Sequence, residues 1–160
     1  MRFEKVSFAE FARYFAPGDE GYLMAKDAYT KIKLPQRGTP GSAGYDFYLP
    51  MNYCFTEESP VIPTGIRVFL DTGYFLMCVP RSGLGFKYGI KLKNTTGVID
   101  EDYIYSDNEG HILAMLRSDV PVSLKAGDRF MQGIFVKYGT TEDDCPLKEY
   151  RNGGFGSSGR

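Results

Sequence analysis

Gly97-Val98-Ile99-Asp100-Glu101-Asp102-Tyr103 sets three carboxylates and a phenol after an apolar step, beside a glycine that lets another backbone approach. A carboxylate in that setting can accept a hydrogen bond from water and act as a general base, and a run of acids also makes a solvated turn. Pro80-Arg81-Ser82-Gly83-Leu84-Gly85 places a fork-shaped cation, a hydroxyl and unhindered amides directly after an apolar strand. That is the chemistry of an anion nest or of a plain turn with one surface arginine. Ser42-Ala43-Gly44-Tyr45-Asp46 is a small-residue turn leading into a strand, with one carboxylate able to orient water around a divalent cation. Gly127-Asp128-Arg129-Phe130-Met131-Gln132 reads as a turn entering a strand, with Arg129 and Gln132 in reach of a ligand. The last ten residues, Arg151 to Arg160, hold four glycines, two serines, two arginines and Phe155. Such a composition builds no core; it suits either the wrapping of an anion or a linker-like end.

The elements that must position these groups are mostly strands. From Ile32 onward, short apolar runs (67–70, 74–79, 112–116, 130–137) alternate with breaks rich in Gly, Pro, Asn and Asp, such as Asp71-Thr72-Gly73 and Ser106-Asp107-Asn108. This predicts an all-β sandwich or barrel. Upstream, Ser7 and Glu10 fit a capping box, and Phe8, Phe11, Ala12 and Phe15 recur at helical spacing until Pro17-Gly18, which predicts one short amphipathic helix. Residues 19–31 show no clear period.

Composition narrows the partners. A chain of 160 residues with 42% hydrophobic residues suits one well-buried domain. A formal net charge of -1 offers no basic field for nucleic acid, so an anion must be held by local donors. No apolar run approaches the roughly 20 residues that span a bilayer, and Met1 to Lys5 do not open a secretion signal, so the expected location is cytoplasmic, away from the membrane. Cys54, Cys78 and Cys145 have neither metal nor redox spacing and read as reduced thiols; His111, the single histidine, receives no role.

In order and together, the five segments resemble the motifs of the trimeric deoxyuridine triphosphatases, the dUTPases, over about residues 32–160. The strings PRSGL (80–84), GVIDEDY (97–103), GGFGSSG (153–159) and SAGYD (42–46) carry the match, with GDRFMQ (127–132) looser. The resemblance implies a jelly-roll β domain over 32–149, an N-terminal extension with a short helix over 1–31, a C-terminal lid arm over 150–160, and a closed homotrimer with shared active sites. It implies hydrolysis of dUTP to dUMP and pyrophosphate, which sanitises the nucleotide pool and supplies dUMP for dTMP synthesis. Asp100 matches the residue that orients the attacking water, and Tyr103 the ring lying against the deoxyribose. Asn94 and Gly97 belong to the hairpin that reads uracil. Arg81, Ser82 and Gly83 match phosphate binders, while Asp46 and Gln132 hold waters or phosphates near Mg2+. In the tail, Arg151 would contact the terminal phosphate, Phe155 would stack on uracil, and Gly156, Ser157 and Ser158 would wrap the phosphates.

The chain departs from the family pattern in three places. Residues Ile104 to Glu109 separate Tyr103 from Gly110 where the family has a single residue; Gly133 stands where a larger apolar residue is common; and residues 1–31 precede the typical start. Two alternatives follow. One is a dCTP deaminase of the same fold, disfavoured by Asp100 and by the tail with Phe155. The other is a dUTP-sensing protein that binds a regulatory protein partner through the N-terminal helix or the 104–109 insertion.

Overall fold

A computed structural model of the chain describes residues 1–146. In chain order its elements begin with β1 (Arg2–Lys5), α1 (Phe8–Ala12), α2 (Asp19–Lys31), β2 (Gln36–Arg37), β3 (Gly44–Tyr48), β4 (Tyr53–Phe55) and β5 (Ile62–Pro63). Then come β6 (Ile66–Phe69), β7 (Tyr74–Pro80), α3 (Ser82–Tyr88), β8 (Lys91–Leu92), β9 (Gly97–Ile99) and a 3-10 turn (Glu101–Tyr105). The remaining strands are β10 (Leu113–Ala114), β11 (Leu116–Arg117), β12 (Val122–Leu124) and β13 (Arg129–Lys137).

Antiparallel ladders join β2, β3, β13, β7 and β9, in that spatial order, into one sheet; β1 pairs with β6, β4 with β12, β5 with β10 and β8 with β11. Partners distant in sequence and crossing connections are what the expected jelly-roll type of all-β fold requires. Along β7, Leu76 and Cys78 are buried while their neighbours are less so, the period-2 signature of a strand with one face on the core. On β13 the register shifts between Arg129 and Met131, and this bulge turns both Phe130 and Met131 inward. They join Phe11, Phe47, Phe55, Ile62 and Leu76 in one cluster, each large apolar side chain contributing about 1.5–3 kcal/mol by leaving water.

The first 31 residues pack onto this domain. β1 extends the ladder with β6, pairing Arg2 with Phe69 and Lys5 with Ile66. The expected helix is α1, with Ser7 Oγ accepting from Glu10 N–H at 3.1 Å. Residues 19–31 form α2, whose buried face is Gly21, Ala25 and Ala28. Small residues at i, i+4 and i+7 give close packing without a hydrophobic period, which hid this helix in the sequence. At Gly21 a Cβ would collide with the Ala16 carbonyl, so glycine is what lets the helix start there. No helix among the described residues is long and apolar enough to cross a membrane.

Candidate active site

Three neighbouring strands build the first half of the site. Asp46 on β3 stands opposite Gln132 on β13, which stands opposite Val79 on β7, so all three face the same side of the sheet. Arg81 lies two residues past Val79 and reaches back: its Nε is 3.1 Å from one Asp46 carboxylate oxygen, and Arg129 Nη1 is 3.1 Å from the other. Asp46 is buried, and two guanidinium groups balance the cost of desolvating its charge. The carboxylate in turn fixes Arg81 at the end of β7, leaving the rest of its fork for an anion. Gln132 packs over Gly44, where a Cβ would strike its Oε1. Ser82 and Gly83 are exposed in the first turn of α3, ahead of the first helical bonds from the Leu84 and Gly85 amides to the Arg81 carbonyl. Amides in a first helical turn have no partner within the helix and suit phosphate oxygens. The helix itself was not apparent in the sequence, because its glycines, Gly83 and Gly85, argue against one.

The second half of the site rides on the hairpin around β9. A tight turn closes where the Thr95 amide donates to the Leu92 carbonyl and the Thr96 amide to Asn94, with Thr95 at φ 68°. A cavity of ≈ 300 Å³ opens beside it, lined by Asn94, Gly97, Ile99, Leu113, Met115 and Cys78 among others. Its walls are mostly apolar, as expected for a pocket that takes a flat base and orients it through few polar atoms. Gly97 sits against Cys78, whose Cβ would be 3.1 Å from an added Cβ, so glycine keeps the wall thin. Burial pushes the Cys78 thiol up to about 12, which makes it an inert part of that wall. Asp100 directly follows Ile99 of the pocket wall at the end of β9, half-buried, and its carbonyl accepts the Tyr103 amide at 3.1 Å. Tyr103 is buried, and its hydroxyl donates to the His111 carbonyl at 3.0 Å.

One chain does not bring the two halves together. Ile99 pairs with Leu76, so Asp100 lies level with Phe75, whereas Arg81 is six residues further along β7. At about 3.3 Å per residue the two are roughly 20 Å apart. Arg151, Phe155, Gly156, Ser157 and Ser158 lie outside the described residues.

The sequence reading missed His111. It is fully buried; its Nε2 accepts the Gly65 amide at 2.9 Å, so its proton is on Nδ1, 3.3 Å from Glu10 Oε1. These partners are 46 and 101 residues away, and no local signal marks them. Burial pushes the imidazole below its ordinary 6.5, against the pull of Glu10 and Glu109. The unfolded chain therefore takes up a proton here as pH falls through 6.5 while the folded chain resists it, and stability is lost in that direction. The Glu109 carboxyl is held below its ordinary 4.5, chiefly by hydrogen bonds from Ser7, so its contribution is present above that value and lost below it. The expected result is a melting temperature that falls from about pH 7 to about pH 5, with a shallower slope in His111→Asn. Equal slopes, read by scanning calorimetry, would remove His111 from the acid response.

No group of three or more His, Cys, Asp or Glu among the described residues could cage a metal ion. The donors present are guanidinium groups, a hydroxyl, amides and one paired carboxylate, a set suited to a polyphosphate. The dUTPase family model matches residues 30–159. The deoxyuridine 5'-triphosphate nucleotidohydrolase of Lactococcus lactis is 39% identical over 142 residues, covering 86% of this chain and 95% of that protein. The crystal structure of the dUTPase from Streptococcus mutans superposes with a TM-score of 0.65 at 31% identity, over 88% of this chain and 98% of that one. A mutant dUTPase from phage phi11 of S. aureus, described with a structural Mg(II) ion, shares the fold at a TM-score of 0.62 and 20% identity, over 74% of this chain and 92% of that one. Matched over this much of its length in sequence and in fold, the chain that carries Asp100 and Tyr103 on one hairpin and Arg81 on the far end of the next strand belongs to the dUTPase family.

Proposed function

We propose that the chain hydrolyses dUTP to dUMP and pyrophosphate, with water oriented by Asp100 attacking the α-phosphate. The observation that carries this is a carboxylate one residue beyond Ile99, which lines an apolar cavity whose walls also include Asn94 and Gly97. In that cavity the uracil is held, and Tyr103 lies against the deoxyribose and leaves no room for a 2′-hydroxyl. Asp100 accepts the proton of the water as it attacks phosphorus, and pyrophosphate leaves. Arg81, with Ser82 and Gly83, takes the phosphates. Arg151, Ser157 and Ser158 complete their shell, Gly156 lets the backbone close on them, and Phe155 covers the base.

Mg2+ fits this donor set as an ion that arrives on the triphosphate. It keeps several waters and takes phosphate oxygens, so no protein cage is needed. Asp46 has lone pairs beyond those given to Arg81 and Arg129, and with Gln132 would hold the ion through its waters. Its chemistry there is to offset phosphate charge. The separation of Asp100 from Arg81 supports a homotrimer in which one subunit lends the water-orienting carboxylate and another the phosphate donors.

Pyrophosphate release measured with dUTP, UTP, dTTP and dCTP tests the reading. The expected kcat/KM for dUTP exceeds the others by about a hundredfold or more. Ammonia release from dCTP, or equal turnover of UTP, would sink it.

A further inference from the structure

The family model begins at residue 30, yet the segment before it and the insertion after Tyr103 meet at one point. In a capping box the N3 side chain returns to the N-cap amide. Here Glu10 turns away to Arg13 and His111, and Glu109 takes its place: Ser7 N–H and Ser7 Oγ donate to the two Glu109 carboxylate oxygens at 2.8 and 2.5 Å. Arg67 approaches the same carboxylate at 3.8 Å. Glu109 has φ 59°, a left-handed conformation that a residue with a side chain keeps only when its surroundings impose it. Gly110 follows at φ 72°, where a Cβ would fall 2.7 Å from Ile104 Cα and 3.1 Å from the Tyr103 carbonyl oxygen. The turn so pinned carries Asn108. Its Nδ2 donates to the Tyr103 hydroxyl at 2.8 Å and to the His111 carbonyl at 3.3 Å, while its Oδ1 accepts the Gly110 amide at 3.2 Å. His111 then anchors the far side, between Glu10 of α1 and the Gly65 amide.

We infer that residues 1–15 and the 104–109 insertion form one brace that holds the Tyr103 ring in place, with Asn108 and Glu109 as positioning residues for discrimination between deoxyribose and ribose. The inference rests on the reading of Tyr103 as the ring against the sugar. Steric exclusion of a single hydroxyl requires a ring that does not yield. A phenol bonded at its far end to Asn108 and to the His111 carbonyl cannot swing away from the added oxygen. Ser7 therefore reaches the sugar through Glu109, Gly110, Asn108 and the phenol.

The test uses the full chain and compares kcat/KM for dUTP with kcat/KM for UTP. Asn108→Ala is expected to lower that ratio roughly tenfold, through a higher KM for dUTP and a higher UTP turnover, with kcat for dUTP nearly kept. Tyr103→Phe keeps the ring and deletes the hydroxyl, so it should match Asn108→Ala, and the double variant should lose little more. Glu109→Gln, which weakens the grip on Ser7, should shift the ratio in the same direction by less. Because it leaves the turn's backbone bonds in place, it remains usable if Asn108→Ala fails to fold. Tyr103→Leu separates two failures. A ratio unchanged in Tyr103→Leu sinks the assignment of Tyr103 to the sugar. A ratio that collapses in Tyr103→Leu but holds in Asn108→Ala, Tyr103→Phe and Glu109→Gln overturns the brace and leaves those bonds a purely structural role.

Discussion

An Asp100→Asn chain is expected to lose about 10²–10⁴-fold in kcat while keeping its melting temperature and most of its affinity for dUTP. Asparagine has nearly the same shape, and the bond that Asp100 makes to the Tyr103 amide runs through its carbonyl, which the substitution leaves intact. What is lost is the capacity to take a proton from water. The measurement is single-turnover pyrophosphate release beside a thermal scan. Near-normal turnover would remove Asp100 from the water-orienting role.

The same variant tests where the rest of the site comes from. Asp100 and Arg81 sit at opposite ends of β7, roughly 20 Å apart by strand register, and on the proposed reading they serve one triphosphate from different subunits. Arg81→Gln should also be inactive, since the phosphates lose their bidentate donor. Mixed and reassembled in equal amounts, the two dead variants should regain activity. Half the subunits then supply an intact Asp100 and half of their neighbours an intact Arg81, so about a quarter of the shared sites are whole. No recovery after verified subunit exchange would mean that each site is built within a single chain.

Much of this was legible in the sequence because strand periodicity and turn residues are local signals. The runs at 74–79 and 130–137 became β7 and β13 almost residue for residue, since each buries one face against the core. Motif spelling proposed Asp46, Arg81, Asp100 and Gln132 as site residues, but spelling carries no distance. The ion pair of Asp46 with Arg129 spans 83 residues, and the separation of Asp100 from Arg81 follows from ladder register. α2 was hidden because its buried face is Gly21, Ala25 and Ala28, with nothing large to set a period. β1 escaped notice because a four-residue edge segment becomes a strand only when β6 is there to pair with it. His111, Asn108 and Glu109 were invisible as a group, since His111 and Glu109 are tied to a helix and its cap about a hundred residues away and Asn108 joins them only through the turn they pin.

Gly133→Ala is expected to lower the melting temperature by several degrees while leaving kcat per folded molecule unchanged. On the backbone alone alanine should help, because glycine in a strand interior costs about 0.5–1 kcal/mol. The surroundings reverse the sign. Gly133 lies on the central strand between β3 and β7, and a Cβ there would stand 2.9 Å from Leu76 Cδ1 and 3.0 Å from Phe47 Cε2. Both neighbours are essentially inaccessible to solvent, so neither has space to retreat. Overpacking of this kind costs about 1–3 kcal/mol, and in a chain of this size each kcal/mol moves the midpoint by about 2–4 °C. Leu76→Val removes the δ-methyl groups that crowd the site, so the double variant should be more stable than the two single changes added together predict. Activity is spared because Gln132, next along β13, faces Asp46 on the other side of the sheet. The glycine that departs from the family pattern is thus a packing partner of Phe47 and Leu76. A Gly133→Ala protein that melts at or above the parent temperature would show that this core yields more readily than its burial implies.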